Sequence, residues 1–447
     1  MNDVTPIRTK VENTLLSRFP QLKAALPGDA SIRHLRDDAF ASFEQSGLPH
    51  RRIEAWHYTD LRSLLRDAPE LAVVPPSHVI QRAAEHASPL DPVPATRLVM
   101  VNGFYDANIS TFGLPAGVTV KDMHSALGQS EPLVASHLGA ATTTPDPLIA
   151  LNTAFMNGGV IVTVAPHTKL DLPLELRFIT ETVDAIATTP RVLVIVGEGA
   201  DVTLLESHQG PDGVAYQTNA VVEIFGAAQS RIEHLRLSAG GNYAVDLSTL
   251  AVNLQQEAVF HSLNCVTTPG LARHQVFAAL QGEGIAFDVD GVSLLSGTQH
   301  VDTTLAIDHA APGCTSRELF KTVLDAQSTG VFQGRIMVKQ IAQQTDGKMM
   351  SQAVLLSDEA RMNNKPELEI FADDVVCGHG ATCGALDDDL LFYLMARGLP
   401  RLEAEALMLA AFVGEAFEKI HHDGVREVFE AIAGTWLKSR STATKQA

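Results

Sequence analysis

The chain has 447 residues, more than one simple core usually holds, so two or three structural regions are expected. Its 33 Lys and Arg against 52 Asp and Glu give a formal charge of -19, which argues against a nucleic-acid footprint and against docking on an anionic membrane. No run reaches the roughly 18 apolar residues of a membrane span: the closest, Ala406 to Phe417, is interrupted by Glu415. The N-terminus, MNDVTPIRTKVENTLL, lacks a secretory pattern, and with four widely spaced Cys the expectation is a cytoplasmic protein with reduced thiols.

Residues 5 to about 66 read as helical. Thr5 and Pro6 suit a helix start, and Val11, Leu15, Leu16 and Phe19 recur at helical spacing. A second helix fits Ile32 to Gln45, with Gly47 as its stop. In RRIEAWHYTDLRSLL, Trp56 and Tyr58 suit an aromatic anchor seating the helices on the core. Pro69, Pro75, Pro76, Pro89, Pro92 and Pro94 accumulate between Asp67 and Thr96, which places a linker there.

From Arg97 the texture changes to short Val-, Ile- and Leu-rich runs such as GVIVTV, LELRFI, RVLVIVGEG and SRIEHLRL. Between about 159 and 377 they recur every ten to fifteen residues, with Gly, Asp or Asn between them and no long helical pattern, so the architecture is mainly β. Such a region is long for a sandwich, and strands stacked in coils explain the steady recurrence, but periodicity leaves sandwich and solenoid both open. Glu318 and Lys321 read as a solvated pair, and Gln340 to Pro366 as solvated coil edges.

Pro366 to Pro400, PELEIFADDVVCGHGATCGALDDDLLFYLMARGLP, joins two kinds of structure. Leu368, Ile370, Val375 and Val376 read as the last short strands, and Gly378, Gly380 and Gly384 as a loosened backbone. Asp387, Asp388 and Asp389 suit the first turn of a helix whose apolar face is Leu390, Leu391, Leu394 and Met395; Gly398 ends it and Pro400 opens the next. Three helices are expected at about 387–397, 400–420 and 424–438, and the tail STATKQA reads as disordered. The expected regions are thus 1–96, helical with a linker; 97–385, the β core; and 386–447, helical again.

Cys377 and His379 are two residues apart, so on a strand they share a face. Thiolate and imidazole together make a soft-to-borderline metal site, though only half of a closed tetrahedral one. Cys383 offers a third donor, but C-x-H-x3-C matches no familiar zinc geometry. Spacing alone favours plain packing, a Cys acting as a small hydrophobe beside a hydrogen-bonded His. Cys265 and Cys314 read as structural, and His421 and His422 as polar groups at a helix C-terminus. No phosphate-binding G-x-x-x-x-G-K-[ST] loop exists, since Gly347-Lys348 is followed by Met349, so no nucleotide is expected on this chain. Cys spacings of 49, 63 and 6 residues do not by themselves hold a complete iron–sulfur cluster.

The run DDVVCGHGAT, with KPELEI before it and DDDLLFYLMARGLP after it, resembles the C-terminal signature of the SufB/SufD family, the paralogous scaffolds of the SUF iron–sulfur cluster assembly machinery. Glu54, Trp56, Tyr58 and Thr59 resemble the family's E-x-W-K-Y-T element, with His57 where Lys is usual. VNG at 101–103, LNTAFMNGGVIV from Leu151, Asp302 to His309, SRELFK from Ser316 and GVFQGRIMV from Gly330 are further landmarks. Gly380 stands where SufB-type chains carry Glu, so the likeness is to the SufD-type members.

The resemblance implies a right-handed parallel β-helix flanked by helical regions, and a non-catalytic scaffold. Its implied partners are a SufB paralogue, met through the ends of the β-helices, and SufC, an ABC-type ATPase docking on the C-terminal helices, with Leu390, Leu391, Tyr393, Leu394, Arg397 and Gly398 as docking residues. It further implies that His379 and Cys377 face SufB and serve iron or a nascent cluster, held transiently and shared. Two rivals stand beside it. One is a β-helix enzyme acting on polysaccharide, with Asp373 and Asp374, or Asp288 and Asp290, as acid and base; two Trp and five Tyr are few for stacking sugars. The other is a purely structural homodimer.

Overall fold

The computed structural model describes residues 8–443. Thr5, Pro6 and the last four residues of the STATKQA tail lie outside that range, while Ser441 to Ala443 continue a helix. The first helix is instead started by Thr9, whose hydroxyl accepts from the Glu12 amide at 3.2 Å while the Glu12 carboxylate accepts from the Thr9 amide at 2.6 Å. Gly47, with φ of +70°, closes the second.

In chain order, α1 (Lys10–Leu22), α2 (Ala30–Ser46), α3 (Leu61–Leu64), β1 (Glu70–Leu71) and α4 (Ser77–Ala84) precede β2 (Thr96–Val101), β3 (Phe104–Tyr105) and β4 (Val118–Asp122). Helices α5 (Met123–Gly128), α6 (Pro132–His137) and α7 (Pro147–Phe155) follow. Then come β5 (Gly158–Val164), β6 (Leu174–Ile179), β7 (Ile186–Thr188), β8 (Pro190–Val196), β9 (Asp201–Gln209), β10 (Gln217–Gly226), β11 (Arg231–Ala239), β12 (Val245–Leu254) and β13 (Val259–Val266). β14 (Leu271–Leu280), β15 (Ala286–Leu295), β16 (His300–His309), β17 (Thr315–Leu324), β18 (Thr329–Val338), β19 (Asp346–Leu355), β20 (Arg361–Ile370) and β21 (Val376–Gly384) complete the β region. Helices α8 (Asp388–Ala396), α9 (Arg401–Phe417) and α10 (Asp423–Ala443) end the described chain.

Successive strands alternate between two sheets. One runs β20-β18-β16-β14-β12-β10-β8-β5-β4 and the other β21-β19-β17-β15-β13-β11-β9-β6-β2-β3, so each coil adds one rung to both. The rungs are parallel; among the described residues only the β2–β3 and β4–β5 pairs at the N-terminal end are antiparallel. This is a parallel β-helix. The ten-to-fifteen-residue recurrence in the sequence is the alternation between sheets, which a sandwich would not have distinguished.

Corners between the sheets repeat a backbone device. Gly199, Gln229, Glu257, Gly284, Gly313 and Gln344 all have positive φ at equivalent corners, and each passes an amide hydrogen bond to the next coil, as in Gln229 N to Gln256 O at 2.8 Å and Glu257 N to Glu283 O at 2.8 Å. Side chains in the left-handed region cost about 1 kcal/mol, which inter-coil hydrogen bonds offset.

Inside the helix, period-two alternation points one side chain in two at the lumen. Ile232, Phe260 and Phe287 stack there, the two rings 5.3 Å apart and 11° from parallel. The outer face of the second sheet, through Leu235, Leu263, Cys265 and Val292, is covered by Leu409, Val413, Phe417 and Phe429 of α9 and α10. Leu247 and Leu271 on the outer face of the first sheet are covered by Val11, Phe43 and Trp56.

Two expectations fail here. Gly378, Gly380 and Gly384 do not loosen the backbone but lie within β21, because β19 templates them through the register from Asp346↔Val376 to Val354↔Gly384. Gln340 to Pro366 is not mere coil edge: it contains β19 and the first half of β20. Among the described residues, no helix is long and apolar enough to cross a membrane.

Candidate functional site

The two ends of the β-helix differ. Antiparallel strands β3 and β4 close the N-terminal end. At the other, β20 pairs only with β18 and β21 only with β19, so both last strands leave one edge of amides and carbonyls unpaired. Around that edge Phe371 is 63% exposed and Val376 62%, with Ile341, Met350 and Ile370 also exposed.

Cys377 and His379 sit on β21 at this end, on one face of the strand. Cys377 is half-buried against the lumen core, whereas His379 is exposed. A shallow cleft of about 450 Å³ is lined by both, with Glu318, Met349, Lys348 and Lys419 among its other walls. Cys383 shares their face, but β21 is extended. Four residues of strand put it ~13 Å beyond His379, too far to ligate the same ion.

Burial pushes the Cys377 thiol above its ordinary range; a hydrogen bond from the Gly347 amide works against this, and the Asp346 and Glu318 carboxylates reinforce it. The free thiol is therefore protonated at neutral pH. Sequence reasoning missed Glu318 as part of this region. It stands in the same row as Met349 and His379, on the successive rungs β17, β19 and β21. Burial, aided by Asp288 and Asp290, pushes its carboxyl up to about 8. The neighbouring Ser316 hydroxyl opposes that rise only in part, since neither Glu318 oxygen has a well-formed hydrogen bond among the described residues. Glu318 is no solvated partner of Lys321, which lies on the opposite face, equally buried, with its ammonium 2.5 Å from Glu415 and over the Phe412 ring.

Asp387 caps α8 by accepting from the Asp389 and Leu390 amides at 2.9 Å. Leu391 is the buried side of that helix and Leu394 is half-buried, while Leu390, Phe392, Tyr393 and Met395 are exposed, Phe392 at 73%. The Arg397 guanidinium lies over the Tyr393 ring at 5.0 Å, and Gly398, with φ of +97°, ends the helix. Phe392 and Met395 belong to this apolar surface although Phe392 lay outside the predicted stripe.

The N-terminal aromatic element fastens the helices to the first sheet. Trp56 is buried under the Arg273 guanidinium at 3.6 Å; Thr59 hydrogen-bonds Asp302 and, at 2.9 Å, His300; Glu54 pairs with Lys365. His57 reaches the Arg51 carbonyl, at 3.2 Å, and the edge of Tyr58. Of the carboxylates offered for sugar hydrolysis, Asp288 and Asp290 do not form an open pair, because Asp290 is buried and engaged by Lys419 at 2.9 Å and His261 at 3.2 Å, whereas Asp373 and Asp374 are exposed neighbours in the bend before β21.

The family model described as "SUF system FeS cluster assembly, SufBD core domain" matches residues 178–412, and "SufBD protein N-terminal region" matches residues 10–176. The chain belongs to the SufBD family. Relatives of this SufBD chain include an iron–sulfur cluster assembly SufBD family protein of Synechocystis sp., 30% identical across 92% of this chain and 93% of the relative. The iron–sulfur cluster assembly protein SufD of Escherichia coli is 28% identical across 88% and 90%, and the chloroplastic protein ABCI7 of Arabidopsis thaliana 27% across 91% and 86%. As a SufBD protein it is a component of iron–sulfur cluster assembly.

Proposed function

We propose that this SufBD chain is a non-catalytic scaffold of a SUF assembly complex, which pairs through the open end of its β-helix with a SufB paralogue and carries the ATPase SufC on its C-terminal helices. The observation that supports this most is the coincidence of an uncapped parallel edge, an apolar rim and a Cys–His pair at one end of the molecule. A partner strand added to β20 or β21 would satisfy the free edges and bring its own donors to Cys377 and His379. Those two supply at most two ligands, so an iron ion or nascent cluster handled there is a shared and passing cargo. The exposed His379 imidazole is the entering ligand, and the Cys377 thiol gives up its proton on ligation.

Helix α8 follows β21 directly, and its exposed Leu390, Phe392, Tyr393 and Met395 suit an ATPase surface. Movement imposed there reaches the β21 junction through three residues of chain, Ala385 to Asp387.

The test is anaerobic reconstitution with the SufB paralogue and the ATPase, followed by iron and sulfide analysis. The expected result is an intact complex for His379→Ala and Cys377→Ala with iron content lowered about tenfold or more, since losing even an outer-shell partner of a ligand costs about 10–100-fold in metal affinity. Unchanged iron and sulfide in both variants would refute the ligand role; failure of wild-type chains to associate would refute the scaffold reading.

A further inference from the structure

A second cluster of donors lies away from the open end, where α9 and α10 meet the second sheet. Glu233 of β11 and His261 of β13 are register partners on neighbouring rungs, and His421 comes from the connection between α9 and α10. One ligand atom from each lies within 4.8 Å of the others. Glu233 Oε1 is 3.1 Å from His421 Nδ1 and 3.5 Å from His261 Nδ1. Bonds of 2.0–2.2 Å to a tetrahedral ion place neighbouring ligand atoms ~3.4 Å apart, so both spacings suit coordination.

The surroundings supply what coordination needs. His261 Nε2 faces Asp290 Oδ2 at 3.2 Å, which orients the ring and leaves Nδ1 as its ligand nitrogen. That Nδ1 is buried, and its contact with Glu233 Oε1 at 3.5 Å is too long and misaligned for a well-formed hydrogen bond. Glu233 is fixed by its other contacts, the His421 amide at 2.8 Å on Oε1 and the Thr203 hydroxyl at 3.3 Å on Oε2. Three carboxylates, Glu233, Asp288 and Asp290, gather here against Lys419, while Arg317 is turned toward Asp346 at 2.6 Å. The balance favours a cation. The His421 side chain is 78% exposed, so it provides an entry path and leaves a coordination position for water.

We propose that Glu233, His261 and His421 form a site for a borderline divalent first-row cation, with Zn²⁺ as its probe, that ties the α9–α10 connection to the second sheet. Two imidazoles and one carboxylate suit such ions and leave hard cations such as Mg²⁺ disfavoured. The site is independent of Cys377 and His379, and its helices are those proposed to carry the ATPase. The rival is a carboxylate hydrogen-bonded to two imidazoles that needs no metal.

Calorimetric titration of the metal-free full chain with Zn²⁺ decides between them, in a Cys377→Ala/His379→Ala background so that the open end contributes nothing. The expected result is one Zn²⁺ per chain in that background, weakened about tenfold or more by adding His421→Ala, a surface change that leaves the core intact. Glu233→Gln, which keeps the shape and removes the charge, gives a parallel loss in chains that remain folded by circular dichroism at the titration temperature. No binding to the background chain, or a loss below tenfold on adding His421→Ala, overturns the proposal.

Discussion

At the scale of single residues, Glu318 carries the sharpest consequence. A carboxyl ordinarily near 4.5 is held at about 8 by burial inside the coil. Between those two pH values the unfolded chain has lost this proton while the folded chain retains it, so the contribution of Glu318 is harmless below the lower value and costs stability as pH rises toward the upper. Glu318→Gln is therefore expected to be more stable than wild type at pH 8, on the order of a few kcal/mol, with the difference vanishing near pH 4.5. Urea unfolding of both chains across that range checks it, and a pH-independent difference would rule the effect out. The sequence displayed Cys377 and His379 two apart, and strand period alone put them on one face. It gave no means to see Glu318 as their neighbour, because that relation depends on rungs about thirty residues apart in sequence. The cluster of Glu233, His261 and His421 was hidden for the same reason.

At the scale of elements, local patterns were legible where the chain alone decides and misleading where a neighbour does. Asp387 followed by an apolar run is a capped helix in sequence and in structure. Gly378, Gly380 and Gly384 read as flexible, yet pairing with β19 holds them extended, and a Cβ on Gly380 would lie 2.7 Å from Met350 Cε. Burial on α8 could not be read from its stripe either, since Leu391 is covered while Leu390 and Phe392 on either side of it are not. Exposed aromatics that support no fold are candidates for interface anchors. Phe392→Ser and Tyr393→Ser are expected to change unfolding by less than ~0.5 kcal/mol, yet to weaken binding of the ATPase proposed to dock there by about 2 kcal/mol, roughly thirtyfold. Equilibrium binding beside thermal melts separates these; equal affinity in all chains would move the docking surface elsewhere.

At the scale of the whole molecule, a β-helix is a one-dimensional stack whose interior rungs satisfy one another and whose ends do not. Here the N-terminal end is finished by antiparallel strands and the helices packed around them, and the C-terminal end is left open with an apolar rim. Recurrence in the sequence indicated stacking, but nothing in a repeat says which end is capped. An open edge of this kind pairs with whatever edge is offered. In the absence of the paralogue proposed as its partner, the chain is therefore expected to associate with itself at micromolar concentration through β20 and β21. Phe371→Lys with Val376→Lys places charge on that rim at positions 63% and 62% exposed, where it costs the monomer little but would have to be buried in the pair. Sedimentation velocity should show the wild type shifting toward dimer as concentration rises, and the double variant remaining a monomer with an unaltered melting temperature. If both dimerise alike, self-association uses another face; if neither does, the exposed rim alone is insufficient for pairing.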